Sequence, residues 1–288
     1  MGQPLCHCEG ADSQNLEIDS STAAAAAAAA VSEHLSSKCL MLDAKADLDE
    51  SAGAASSSRI KITLEGNIHY EGGWRSSQKH GEGKLLMPDG ALYEGQFHRD
   101  KKSGRGTYHY PSGSTYVGQW ADDLQDGFGE EHWSDDSLFK GEFRRGEKHG
   151  HGRFVWANRC KYEGEFDHSD MHGEGLYMWN DGRGYSGQWT RNAMAPRGTM
   201  WWSDGRIYEG EFSDGKKHGQ GTLSWPDGRS YCGQWCEGKQ HGTAVATTAQ
   251  GLKRESRWDD GRHVEWLGGV IGEDQAKGAT AVTDVNEP

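Results

Sequence analysis

The chain has 288 residues, with 42 glycines and only 34% hydrophobic residues. That is too little aliphatic material for the large core of a conventional globule. Its net charge of −13 and its lack of clustered Lys and Arg exclude DNA and RNA as expected partners, because affinity for nucleic acid comes mainly from neutralised phosphates.

The charge is uneven. Residues 1–68 hold 4 basic and 10 acidic residues, residues 69–267 hold 26 and 30, and residues 268–288 hold 1 and 4. Residues 1–62 form an acidic, alanine-rich leader, poor in aromatics, with an unbroken run from Ala23 to Ala30. This composition predicts disorder with a transient helix. The run is too short to cross a bilayer and has no basic segment before it, so neither a membrane span nor a secretion signal is expected.

Met1-Gly2 followed by Cys6 and Cys8 approaches the pattern for myristoylation with palmitoylation, and two acyl chains are what stable anchoring takes. Cys6 stands where that pattern asks for Ser or Thr. Gly2, Cys6 and Cys8 are therefore candidate lipidation sites, against the plainer reading of an ordinary leader. The six cysteines (Cys6, Cys8, Cys39, Cys160, Cys232, Cys236) lack the paired spacing of a disulfide scaffold or zinc site, which fits reduced thiols in the cytoplasm.

Residues 63–267 are an array. An aromatic recurs at every twenty-third position: Tyr70, Tyr93, Tyr116, Phe139, Tyr162, Tyr185, Tyr208 and Tyr231. Glycine follows at the second position and Trp or Phe at the fourth. In a strand these three share one face, with Glu or Gln between them on the other. The Gly-x-Gly pairs that follow, such as Gly81/Gly83 and Gly150/Gly152, predict a first tight reversal. A second strand comes next, as in Thr107-Tyr108-His109-Tyr110. It closes at pairs such as Asp89-Gly90 and Asp227-Gly228, which predict type I′ turns. Two strands and two turns fill the unit, so the fold class expected is all-β: an elongated array of stacked hairpins forming one twisted meander sheet. Sixteen such strands would run on the order of 75 Å. Trp258 and Trp266 read as part of a terminal cap, and residues 268–288 as a flexible tail.

Tyr-Glu-Gly-Glu-Phe, then His-Gly-x-Gly, then Asp-Gly, as between Tyr208 and Gly228, resembles the MORN (membrane occupation and recognition nexus) repeat. Eight units extend from residue 70 to about 251. Three departures stand out: Pro196 for a glycine in the sixth unit, Asn158-Arg159 for Asp-Gly in the fourth, and Ala244 for glycine in the eighth. The resemblance implies a non-catalytic cytoplasmic scaffold that binds a partner's helix or extended segment, or associates with membrane lipids or with cytoskeletal and axonemal structures. Two rival expectations are a lipid-anchored membrane tether and a regulatory relative of phosphatidylinositol phosphate kinases that lacks the kinase domain.

No nucleophile elbow, P-loop, HExxH or kinase signature is present, so no enzyme activity and no cofactor is expected. Five histidines (His80, His149, His172, His218, His241) occupy one position of their units. A metal needs donors converging on a point, whereas these recur about 10 Å apart, so they read as turn residues bonding nearby backbone. Residues 182–187 match GxGxxG, but that motif requires a following helix, which the period leaves no room for.

The remaining candidate is a row at the seventeenth position beyond each unit's first aromatic: Tyr110, Trp133, Trp156, Trp179, Trp202 and Trp225. In register, these form a ladder. One reading makes them ordinary core. The other leaves part of the aromatic face open as a partner-binding groove. Open terminal strands also invite end-to-end pairing of two copies.

Overall fold

The computed structural model describes residues 60–271. They form one antiparallel sheet of nineteen strands, from β1 (Ile60–Leu64) to β19 (Arg262–Ile271), and each strand pairs with its neighbours in sequence. No element among the described residues is helical.

The core is a single file of rings. The tyrosine (or Phe139) of every unit is at most 1% exposed. Each meets the Trp or Phe four residues on and the equivalent ring of the next unit edge-to-face, at centroid separations of 5.1–5.5 Å. Such contacts contribute roughly 0.5–1.5 kcal/mol each beyond area burial, so this herringbone replaces an aliphatic core. It continues one step beyond the eight units to Trp258, which meets Tyr231 at 5.4 Å.

The glycines make room for these rings. Gly72 pairs with Gly83, and the pattern repeats along the sheet. A methyl on Gly83 would lie 2.5 Å from the Tyr70 Oη. The tyrosine ring therefore lies across the bare backbone of its own hairpin. Its hydroxyl donates to the carbonyl three residues on, at 2.8–3.1 Å in all seven tyrosine units.

Both reversals differ from the expected ones. The Gly-x-Gly pair is not a turn but lies inside the second strand, β3 (Gln78–Leu86) in the first unit. Pairing there jumps from Gly72↔Gly83 to Trp74↔Lys79, and Gly81, at φ 72°, forms the bulge between them. The Glu or Gln on the facing strand ties this bulge down: Gln119 Oε1 accepts from the Phe128 amide at 2.7 Å, and Glu142 Oε1 from the His151 amide at 3.2 Å. The tight turn comes earlier, at pairs such as Arg99-Asp100 and Asp122-Asp123. Both residues have positive φ (50° and 72°; 50° and 71°), the type I′ signature.

At the Asp-Gly pairs that close the second strand (Asp89-Gly90, Asp181-Gly182, Asp204-Gly205 and Asp227-Gly228) only the glycine is left-handed, whereas Asp214-Gly215 lies in the earlier tight turn with both residues at positive φ (49° and 72°). Gly90, at φ 91°, donates to Met87 O, and Met87 N donates to Ala91 O. This is a three-residue loop with a type I turn and a glycine bulge, in which Asp89 Oδ1 accepts from the Ala91 amide.

The departures from the repeat have local effects. Asn158 accepts from the Cys160 amide as Asp89 does from Ala91, and Arg159 takes the left-handed place at φ 68°. Pro196 lacks the amide hydrogen that a ladder needs. Pairing of β13 (Ala193–Trp201) with β14 (Ile207–Ser213) accordingly starts at Arg197↔Glu211, one rung later than its counterpart Gly219↔Trp235.

Candidate functional site

All six row residues lie on the ring-bearing face, packed against the core file and half-buried. Each begins a three-residue loop: Trp179, Trp202 and Trp225 donate their amides to Arg183 O, Arg206 O and Arg229 O. The structure thus brings the predicted residues together in one register.

The row has two characters. From Trp133 to Trp179 it is a continuous stack interleaved with Phe154 and Tyr177, with successive centroid separations of 5.2, 4.5, 5.3 and 4.7 Å. Farther on, each indole carries a guanidinium: Arg183, Arg206 and Arg229 lie 5.3, 5.4 and 5.5 Å from the ring centres of Trp179, Trp202 and Trp225. The loop aspartates hold these arginines by Nε at 2.7–2.8 Å. The sequence signal for this is an Asp-Gly-Arg triplet in each of three successive units, whose third member the aromatic spacing does not single out.

Lysines enter the same face. Lys102 Nζ sits 4.6 Å from the Trp120 ring centre, and Lys217 Nζ sits 4.2 Å from that of Trp235 and 5.5 Å from that of Trp202. Burial, and then the charge of Arg206, pull the Lys217 amine down to about 8. Burial likewise lowers Lys102, against the pull of Asp123. Lys148 instead pairs with Glu131 at 3.1 Å. The Tyr110 phenol is pushed up to about 12 by burial and then by Glu131.

The indole N–H groups separate core from row. Those of Trp120, Trp189 and Trp235 donate to the carbonyls of Gly106, Gly175 and Gly221 at 3.0–3.2 Å. Those of Trp133, Trp156, Trp179, Trp202 and Trp225 have no hydrogen bond among the described residues.

A concavity open to solvent lies on the opposite face of the sheet from the row. At about 660 Å³ it spans the first four units, over the paired glycine backbones, lined by Glu94, Arg105, Gln119 and Lys140 with Val117 and Phe128 in the middle. Phe128 holds a position that is charged or polar in the other units (Glu82, Arg105, His151, Glu174, Arg197, Gln220, Thr243), a signal that a count of aromatics alone conceals.

The histidine series is corrected: its members lie in strands rather than turns, three of them reach the next unit instead of nearby backbone, and the buried Nδ1 of His218 has no partner among the described residues. His149 and His241 approach Asp167 and Asp259 at 3.3 and 3.4 Å, and the His80 ring is 5.0 Å from that of His98. No group of three His, Cys, Asp or Glu among the described residues is placed to hold a metal. Of the GxGxxG match, Gly182 is in a loop and Gly184 and Gly187 are in a strand (Gly184–Thr190). Gly2, Cys6 and Cys8 lie outside the described residues.

The family model of the MORN repeat matches eight times, at residues 70–92, 93–115, 116–138, 139–161, 162–182, 185–205, 208–228 and 231–253. No curated protein matches. Among solved structures, the chain is similar to the TCP10 domain of Danio rerio CPAP, at 11% identity and a TM-score of 0.42, over 73% of this chain and 100% of that one. It is also similar to the G-box domain of the microcephaly protein CPAP, at 10% identity and a TM-score of 0.39, over 70% and 99%. A third is the TCP domain of Drosophila melanogaster SAS-4 in complex with a proline-rich motif of Ana2, at 14% identity and a TM-score of 0.29, over 65% and 99%.

Proposed function

We propose, for a chain that belongs to the MORN repeat family, a non-catalytic scaffold function in which the row from Tyr110 to Trp225 captures a cytoplasmic protein partner. The observation that supports this most directly is the set of five half-buried tryptophans in register whose N–H groups are unengaged among the described residues. Tryptophan combines a large apolar area with a directional donor and dominates the energetics of protein interfaces. The donors of Trp120, Trp189 and Trp235 in the ring file are taken by backbone carbonyls, whereas those of the row remain for a partner's acceptor.

The test is Trp156→Ala with Trp179→Ala in the full chain, read by quantitative co-purification of partners from cells and by far-UV circular dichroism. The expected result is loss of the captured proteins with the strand spectrum retained. Unchanged capture by a folded double variant would remove the row from the function.

A further inference from the structure

We propose that the row binds a proline-rich segment in the polyproline II conformation, laid along the array across its strands. This rests on the scaffold reading above and names the partner's chemistry. Successive row residues sit two strands apart, about 9.6 Å at ~4.8 Å per strand. A polyproline II chain advances ~3.1 Å per residue with three residues per turn, so one of its faces repeats every ~9.3 Å. The two periods differ by ~0.3 Å per unit, which a chain without internal hydrogen bonds absorbs.

Other conformations fit less well. An α-helix repeats a face every ~5.4 Å, and two turns overshoot the unit by ~1.2 Å. An extended strand returns to one face every ~6.6–6.8 Å, which is commensurate with neither one strand spacing nor two.

Electrostatic complementarity is the second line of argument. The row presents donors: the five unengaged indole N–H groups and the Nη groups of Arg183, Arg206 and Arg229, whose Nε alone is taken by an aspartate. The aspartate oxygens beside them are already accepting from backbone and guanidinium. A proline offers the inverse, a carbonyl acceptor with no N–H donor to leave unmatched. Its ring packs against the exposed edges of the row, whose ring faces are taken by Phe154, Tyr177 and the three guanidinium groups, and its fixed φ means that little conformational entropy is lost on docking. Six row positions span five intervals, so a segment of about 16 residues would fill the row.

The experiment uses the full chain and fluorescein-labelled oligoprolines in fluorescence anisotropy, the series running from six prolines to fifteen in steps of three. A Gly/Ser peptide and a helical Ala/Lys peptide, each matched in length to the longest oligoproline, serve as controls. The expected result is saturable binding that tightens with each added proline triplet, and none with the controls. Trp156→Ala/Trp179→Ala and Arg183→Ala/Arg206→Ala/Arg229→Ala should each weaken binding of the longest oligoproline at least tenfold. The arginine variant alters exposed side chains and so guards against a folding artefact.

Absence of binding to the longest oligoproline, affinity indifferent to length, preference for the helical peptide, or a folded arginine variant that binds the longest oligoproline unchanged would each overturn the proposal. If oligoproline fails to bind while Trp156→Ala/Trp179→Ala still abolishes co-purification, the scaffold reading stands without its polyproline partner. If both fail, both fall.

Discussion

Gly118→Ala tests whether the ring file is what the glycines serve. A methyl at this position would lie 2.5 Å from the Tyr116 Oη and 2.6 Å from the Gly129 backbone Cα, far inside the ~3.5–4.0 Å of an ordinary contact. The backbone atom belongs to the paired strand and the phenol is sealed at 0% exposure, so neither can swing away. Overpacking of this kind costs about 1–3 kcal/mol. If the ring shifts, the hydroxyl loses its bond to Gln119 O, about 1 kcal/mol. Its two edge-to-face contacts, with Trp120 and Phe143, also loosen, at about 0.5–1.5 kcal/mol each. Against this, alanine restricts the unfolded chain, a gain of about 0.4–1 kcal/mol. The net expectation is a loss of about 4 kcal/mol, read by urea unfolding with near-UV dichroism of the aromatic file. Because an array transmits stability between neighbours, a weakened third unit should also broaden or split the transition. Gly268→Ala, where a methyl meets nothing within 4 Å, serves as the control and should stay within about 0.5 kcal/mol. A loss below about 1 kcal/mol for Gly118→Ala would refute the idea that glycine is required there to admit the ring.

Three further outcomes follow from the same geometry. Arg159→Gly relieves a non-glycine residue at φ 68° in a place that Gly90, Gly182 and Gly205 fill elsewhere, and should stabilise the chain by about 1 kcal/mol in chemical denaturation. Burial, the largest cause, pushes the phenols of Tyr70 and Tyr231 up to about 12 from 10.0. A group whose folded pKa is raised contributes fully below its unfolded value and loses that contribution as pH climbs through the folded one. Stability should therefore fall between pH 10 and 12, with ultraviolet phenolate absorbance rising together with unfolding; phenolate formation near pH 10 in a still-folded chain would contradict the burial. Gly2→Ala should move the full chain from the membrane pellet to the supernatant on fractionation of cells, and an unaltered distribution would dismiss the anchor.

The period, the strand count per unit and the apolar face were legible because each rests on a single repeated spacing: Tyr-x-Gly-x-Trp reads as one face of a strand whatever surrounds it. The reversals were not, because glycine has two uses that look alike in a sequence. Gly81 is needed for its positive φ and Gly83 for its missing side chain, and the two together imitate a turn inside a continuous strand. The real two-residue turns are written differently from unit to unit: Arg99-Asp100, Asp122-Asp123 and Arg191-Asn192 carry no glycine, while Arg145-Gly146 and Asp214-Gly215 do, so the left-handed requirement is met by residues that signal it unevenly and no single repeated pair marks it. The row of Tyr110 to Trp225 was likewise visible by spacing. Whether its donors are engaged depends on carbonyls in the preceding unit, on another strand, which no local pattern encodes.

The two ends of the ring file show how far that carbonyl pairing governs the array. Inside it, an indole N–H reaches back to a glycine carbonyl of the previous unit. At the C-terminal end Trp258 would reach Ala244, but a serine stands where the repeat has glycine: Trp258 donates to Ser256 Oγ at 2.8 Å and Ser256 donates to Ala244 O at 3.2 Å. The side chain fits because Arg254 occupies the place of the unit's tyrosine, so no ring crosses the backbone there. Ser256 is fully buried and relays the bond that the geometry would otherwise lose. At the other end the Trp74 N–H is buried without a partner among the described residues. An orphaned buried donor costs about 1–3 kcal/mol. The herringbone is thus chemically closed beside β18 (Lys253–Asp259) and open beside β2 (Ile68–Arg75), so the first unit should exchange its amide hydrogens before the last.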